Sequence, residues 1–294
     1  MSESISLDFA AYVDRRREGF VGEYAGDRYA FSGDLELQRT MRNFKPIQVA
    51  VSSAVRLGKG MLEGDLLGSA VKVGPNQFPR VHKIVRHCTD VLGIPEPSVF
   101  IQGRVDVMNA MTTGTERESV IILYASTVDN MTDDELAFVI GHECGHIQNG
   151  HVIYLTTLNI LTRVASLFLG PLVQPALIAL QTWSRAAEIT CDRAGMLCVR
   201  NVHAATSAFS KLAIGSMKLY DDMNLSEFLR QLEQGQNGYG RASELLKSHP
   251  YLPKRIRAVQ MFSDSEVYRK SGGLEGGVEL VELDKQVAEL VKVL

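Results

Sequence analysis

Met131-Thr132-Asp133-Asp134-Glu135-Leu136-Ala137-Phe138-Val139-Ile140-Gly141-His142-Glu143-Cys144-Gly145-His146 decides how this chain is read. It opens as a helix start. Thr132 is placed to cap the first free N–H groups, Glu135 stands three residues on as the partner of a capping box, and Met131 and Leu136 form the hydrophobic staple. Leu136, Val139, Ile140 and Ile147 then supply an apolar face at helical spacing. Within that helix lies H-E-x-x-H. The i, i+4 spacing stacks His142 and His146 on one face, where both imidazoles reach the same ion. Glu143 sits beside the first of them, close enough to take a proton from water at the metal without being a ligand. Zinc suits two neutral imidazoles, and a catalytic zinc keeps one position open to activate water at neutral pH. Cys144, two residues after His142, points to the other side of the helix and reads as core.

Two positions compete for the third ligand. His151 follows at once in Ile147-Gln148-Asn149-Gly150-His151, but the extended pattern H-E-x-x-H-x-x-G-x-x-H needs glycine at position 149 and histidine at 152, where this chain has Asn149 and Val152. His151 therefore reads as a helix-end residue, favourable near the C-terminal dipole. The stronger candidate is Glu188, in Trp183-Ser184-Arg185-Ala186-Ala187-Glu188-Ile189-Thr190-Cys191-Asp192. Glu188 and Asp192 share a face of a second helix. Glu188 completes a His2Glu set, and Asp192 is placed to accept the free N–H of a ligating imidazole, which fixes its tautomer. His82, His87 and His203 have no partner spacing and read as surface or core residues.

Working outward, Pro79 to Leu92 carries apolar residues at Val81, Ile84, Val85, Cys88 and Leu92, a helix that Gly93 ends. Ser98–Ile101 and Ser119–Leu123 read as strands. From Thr132 the pattern is helical almost to the end, with a short amphipathic helix over Leu283–Leu294. The segment before Arg28 reads as helical and charged, and Gly58–Gly68 as a glycine-rich loop. Helix, strands, then helices give an α+β fold, mostly helical, with a small sheet. Val152–Thr182 is apolar, but Thr156, Thr157, Asn159, Thr162 and Arg163 interrupt its first half, and Gly170-Pro171 and Pro175 break its middle. A membrane span needs about 20 mainly apolar residues, so the stretch reads as a buried or amphipathic hairpin, with membrane association the less favoured alternative.

The 294 residues suffice to bury a sizeable core. A formal net charge of -3 argues against nucleic acid as a partner. Cys88, Cys144, Cys191 and Cys198 form no CxxC pair and read as buried thiols. With no apolar signal segment at the N-terminus, the expected location is cytoplasmic.

On His142–His146 and Glu188–Asp192 the chain resembles the M48 family of zinc metallopeptidases, to which the HtpX type belongs. The resemblance extends over about Leu67 to Gln260. It takes in Leu92-Gly93-Ile94-Pro95, similar to the family's lead-in, and Asn109-Ala110-Met111-Thr112-Thr113-Gly114, similar to its N-A-F/Y-x-x-G turn at an edge strand. It also takes in Ser248-His249-Pro250 with Arg255, similar to its H-P…R element. The resemblance implies a zincin-like (gluzincin) fold and one Zn2+ per chain on His142, His146 and Glu188. It further implies that Asn109, Ala110 and Met111 pair with an extended peptide, and that His249 and Arg255 stabilise the oxyanion. Met111 stands where the family has an aromatic residue, and the membrane spans of many relatives have no counterpart.

The expectation is thus a zinc-dependent endopeptidase acting on proteins or peptides, with Glu143 as general base. The alternatives are a latent enzyme, in which His249 or a residue before Gly74 closes the open metal position, and a catalytically inactive zincin-fold protein that acts as a binding or chaperone-like module. The expected organisation is an N-terminal segment over 1–70, a peptidase domain over 71–270 and a tail over 271–294.

Overall fold

A computed structural model describes residues 26–58, 68–114, 119–164, 170–234 and 250–292. The expected helix before Arg28, most of the Gly58–Gly68 loop, and His249 lie outside these residues. Helices α1 (Ser32–Arg42) and α2 (Lys45–Gly58) come first, then β1 (Ala70–Lys72) and α3 (Pro79–Leu92). Strands β2 (Ser98–Gln102), β3 (Ala110–Gly114) and β4 (Ser119–Tyr124) follow, with the short α4 (Ala125–Asn130) leading into α5 (Asp133–Gln148). The rest is helical: α6 (Val152–Val164), α7 (Gly170–Val199), α8 (Val202–Ile214), α9 (Met217–Tyr220), α10 (Leu225–Gln234), α11 (Leu252–Ser263), α12 (Glu266–Ser271) and α13 (Leu280–Val291).

The sheet has the order β1-β2-β4-β3. The central pair, β2 and β4, is parallel with Val99 opposite Ile121, while β1 and β3 are antiparallel edge strands. Val99, Ile101, Ile121 and Leu123 enter the core, as β-branched and aliphatic residues on a covered sheet do. Helix α3 closes on Gly93 in the left-handed conformation at φ 65°, where a residue without Cβ is favoured.

Helix α5 begins on the expected capping box: the Thr132 side chain accepts from the Glu135 amide, and the Glu135 carboxylate accepts from the Thr132 amide. The apolar face read from the sequence is there, but every residue from Glu135 to Gln148 is buried, whatever its direction. The helix lies in the middle of the molecule, touching α3, α7, α8 and β3. Helix α7 crosses it closely because small residues meet at the crossing. A Cβ on Gly145 would lie 2.7 Å from that of Ala194, and one on Gly195 would lie 2.6 Å from the Phe138 carbonyl oxygen.

The apolar stretch 152–182 is a pair of helical segments, with residues 165–169 not described. Ile153, Tyr154, Leu158 and Leu161 of α6 and Ala176, Leu177 and Leu180 of α7 form a second core with Met41 of α1 and Ile47 and Val51 of α2. Among the described residues no helix is long and apolar enough to cross a membrane. Pro175, expected to break the stretch, is carried within α7. The C-terminal helix spans Leu280–Val291, a few residues earlier than expected, and drops Leu283 and Val287 into the main core.

Candidate active site

The crossing of α5 and α7 brings four of the predicted residues face to face. Nε2 of His142 lies 3.5 Å from one Glu188 carboxylate oxygen and Nε2 of His146 lies 3.5 Å from the other. Donor atoms of the three residues fall within 4.8 Å of one another. Behind His142, Nδ1 is 2.9 Å from Asp192 Oδ1, so an Nδ1–H donated to the carboxylate leaves the Nε2 lone pair directed toward Glu188. All four side chains are buried.

Arg255 of α11 closes this network. Its Nε donates to Asp192 Oδ2 at 2.9 Å, Nη2 donates to Asp192 Oδ1 at 2.6 Å, and Nη1 stands 2.8 Å from Glu188 Oε2. The guanidinium also lies 4.8 Å from the Phe209 ring centre. Such a bidentate fork fixes carboxylate planes as well as charge. Its three donor nitrogens thus face the carboxylates that surround His142.

Glu143 is held from the sheet. Thr112, on the edge strand β3, donates its hydroxyl to Glu143 Oε2 and also lies 3.2 Å from the Glu143 carbonyl oxygen. Sequence reasoning quoted Thr112 within the Asn109–Gly114 turn but gave it no task. Ala110 and Met111 pair with Leu123 and Ile122 of β4, and Asn109 is tied at N and O to the Thr127 hydroxyl. His151, read as a helix-end residue, stands in the turn that ends α5 and is fully buried there, because Gly150 at φ 69° turns the chain back over the end of the helix. Cys144 belongs to the hydrophobic core with Cys88. His82 stands 3.4 Å from Glu96, His87 bonds the Cys198 carbonyl, and His203 is exposed.

The electrostatics favour a cation. Burial pushes the His142 imidazole down, but the Glu188 and Asp192 carboxylates outweigh it and hold His142 above its ordinary value. Burial prevails at His146, which is held below. Burial also opposes the charge on Arg255, yet Asp192 and Glu188 raise it beyond its already high value. Glu143, Glu188 and Asp192 thus set three buried carboxylates against one guanidinium. The formal surplus of two negative charges is what a divalent cation would cancel, and two imidazoles with a carboxylate are a donor set that suits zinc.

The family model for peptidase family M48 matches residues 75–262. The chain is 30% identical over 221 residues to the plastoglobule-localized metallopeptidase 48, chloroplastic, of Arabidopsis thaliana, covering 69% of this chain and 62% of that protein's length. It is 24% identical to a protease HtpX homolog of Thermoanaerobacter pseudethanolicus, over 65% of this chain and 74% of the relative. With protease HtpX of Haemophilus ducreyi it shares 28% identity, over 57% of this chain and 67% of the relative. No solved structure matches the chain. The matched region contains the helix crossing, the paired imidazoles and the glutamate they converge on, and the chain belongs to peptidase family M48.

Proposed function

We propose that this protein is a zinc-dependent endopeptidase that hydrolyses peptide bonds of protein substrates. One Zn2+ per chain is held by His142, His146 and Glu188. The observation that carries the reading is the convergence of both Nε2 atoms on the two oxygens of Glu188, 3.5 Å each, beside a glutamate on the same helix turn. Bound there, zinc supplies a Lewis acid for water and for the scissile carbonyl.

Each residue then has a task. Glu143 takes a proton from the attacking water and later gives it to the leaving amine, a role worth about 10² to 10⁴ in rate. Thr112 steers it by donating to Oε2. Asp192 keeps His142 in the tautomer that leaves Nε2 open, and Arg255 clamps Glu188 and Asp192 in place. An extended substrate adds to the start of edge strand β3 near Asn109, Ala110 and Met111 by β-augmentation. On the family resemblance, His249 and Arg255 stabilise the oxyanion, and the contacts of Arg255 with Asp192 and Glu188 support a positioning role for it as well. The plant relative carries the word plastoglobule in its name, yet the described helices give no span to follow it to a membrane. Four buried free cysteines fit a reducing compartment such as the cytoplasm.

The test is casein hydrolysis by the purified protein with and without chelator. The reading expects activity that chelation abolishes and zinc restores. It expects Glu143→Gln to lose at least about 10²-fold in kcat with one zinc still bound. A zinc-loaded wild type that cleaves nothing would make the protein a binding module, and full activity in Glu143→Gln would remove Glu143 from the mechanism.

A further inference from the structure

The back of His142 rests on Asp192, and the back of His146 rests on something else. Nδ1 of His146 lies 3.1 Å from Nδ1 of His151 and 3.1 Å from Cys191 Sγ. Nε2 of His151 in turn lies 3.1 Å from Asp34 Oδ2. Asp34 accepts from the Trp183 indole at 2.8 Å and from the Thr190 hydroxyl at 2.8 Å. Asp34, His151, Thr190, Trp183 and Cys191 are all fully buried.

The donors favour one order of the protons. An indole N–H can only donate, so Asp34 is an acceptor there, and as an ionised carboxylate it is an acceptor everywhere. Burial opposes its charge, but His151, Thr190 and Trp183 hold it below the ordinary carboxylate range. The Asp34 carboxylate 3.1 Å from Nε2 favours the proton on that nitrogen, although the pair is not aligned as a hydrogen bond, and so favours a lone pair on Nδ1. With a lone pair on His151 Nδ1, the 3.1 Å contact between the two Nδ1 atoms is a hydrogen bond when His146 Nδ1 carries the proton, the Cys191 thiol at 3.5 Å being the other donor within reach. The lone pair of His146 is then on Nε2, the atom that faces Glu188. Were His151 in its other tautomer, its Nδ1–H would donate to His146 Nδ1 and leave the His146 proton on Nε2, closing that atom to a metal.

We propose that Asp34 and His151 are positioning residues for His146, a buried relay of one carboxylate contact and one hydrogen bond that favours the Nδ1–H tautomer of His146 and so opens Nε2 to a metal. The inference rests on the reading of His146 as a zinc ligand. Its parts come from both ends of the site. Gly150 in the left-handed conformation lets the His151 amide reach back to the His146 carbonyl at 2.9 Å while its own amide bonds the Ile147 carbonyl. This Schellman turn tucks the His151 ring under the helix end. Helix α1 delivers Asp34 and is pinned by Phe31 N to Thr190, Ser32 N to Asp284, and Gln38 to the Asn149 carbonyl. The relay does for His146 what Asp192 does for His142, through one more residue. Outer partners of this kind change metal affinity about 10- to 100-fold.

The experiment uses the full-length, 15N-labelled, zinc-loaded protein. Long-range proton–nitrogen spectra report the ring tautomers, and chelator competition reports zinc affinity for wild type, Asp34→Asn and His151→Phe. The expected result is His151 protonated at Nε2 and His146 at Nδ1, one zinc per chain, and affinity lowered about 10- to 100-fold in both variants. His151 protonated at Nδ1 or at both nitrogens would overturn the proposal, and so would a folded Asp34→Asn with wild-type affinity. If neither variant folds, the wild-type spectrum decides alone. A second zinc per chain, or a thiolate charge-transfer band in the cobalt-substituted protein, would overturn it in favour of a metal on His146, His151 and Cys191. A wild type that binds no zinc would instead overturn the peptidase reading, which keeps the two failures apart.

Discussion

Arg255 sits where two buried carboxylates would otherwise repel each other. It bonds Asp192 through two nitrogens and stands 2.8 Å from Glu188. Removing it leaves Glu188 and Asp192 buried and uncompensated, so Arg255→Ala should cost about 3 to 5 kcal/mol in the metal-free protein. Lysine cannot reproduce the fork and should recover only part of that loss. Urea unfolding of both variants in chelator checks this, and a loss below about 1 kcal/mol would mean the network is worth no more than a surface pair. At this scale the sequence was most informative where chemistry is local. His142, Glu143 and His146 lie within five residues, and Glu188 with Asp192 within another five, so helical periodicity alone predicts which of them share a face. Thr112, Asp34 and His151 carry no such signal. Thr112 touches Glu143 only because β3 runs beside α5, and His151, read only as a helix-end residue, gains its further contacts because the turn at Gly150 carries its ring beneath the end of α5.

Among the elements, α5 bears the site and its ends and crossings set its place. Burial raises the Glu135 carboxyl, but Lys211, Ser207 and the Thr132 amide hold it below its ordinary value. A depressed carboxylate contributes stability that is complete above the unfolded value, about 4.3, and is lost as pH falls through the lower folded value. Glu135→Gln should therefore unfold at lower urea than wild type at neutral pH, with the gap closing toward pH 3. A gap independent of pH would assign the effect to shape. The crossing of α5 with α7 gives a second test. A methyl at position 195 would meet the Phe138 carbonyl oxygen, a backbone atom that cannot swing aside. Gly195→Ala should destabilise by about 1 to 3 kcal/mol and weaken zinc binding, because it moves Glu188 away from the imidazoles. Unchanged affinity would show that the helices can part without disturbing the ligands. Helix α3, the β2 and β4 strands and the start of α5 were legible in the sequence because proline, glycine, β-branched runs and a capping box mark their ends. That α5 is buried on all sides was not, since its apolar face says nothing of what covers the other.

At the scale of the whole molecule, the site is assembled from distant parts of the chain. Helix α1 backs His151, α5 and α7 supply the imidazoles and carboxylates, α11 supplies Arg255, and β3 steers Glu143. The C-terminal helix α13 joins the two ends through Asp284, which accepts from Ser32 N and Arg193. Contacts spanning most of the chain leave no periodic trace, which is why the N-terminal helices had no task in the sequence. The apolar stretch 152–182 was readable as helical and buried, whereas its partners, α1 and α2, were not. The central claim is that His142, His146 and Glu188 together hold one zinc that hydrolysis requires. Its most direct test is zinc content by elemental analysis of wild type and Glu188→Ala, with casein hydrolysis measured on the same samples. The account predicts one zinc per chain in the wild type, and loss of both zinc and activity in the variant. Zinc retained at one per chain in Glu188→Ala would contradict it and place the third ligand elsewhere.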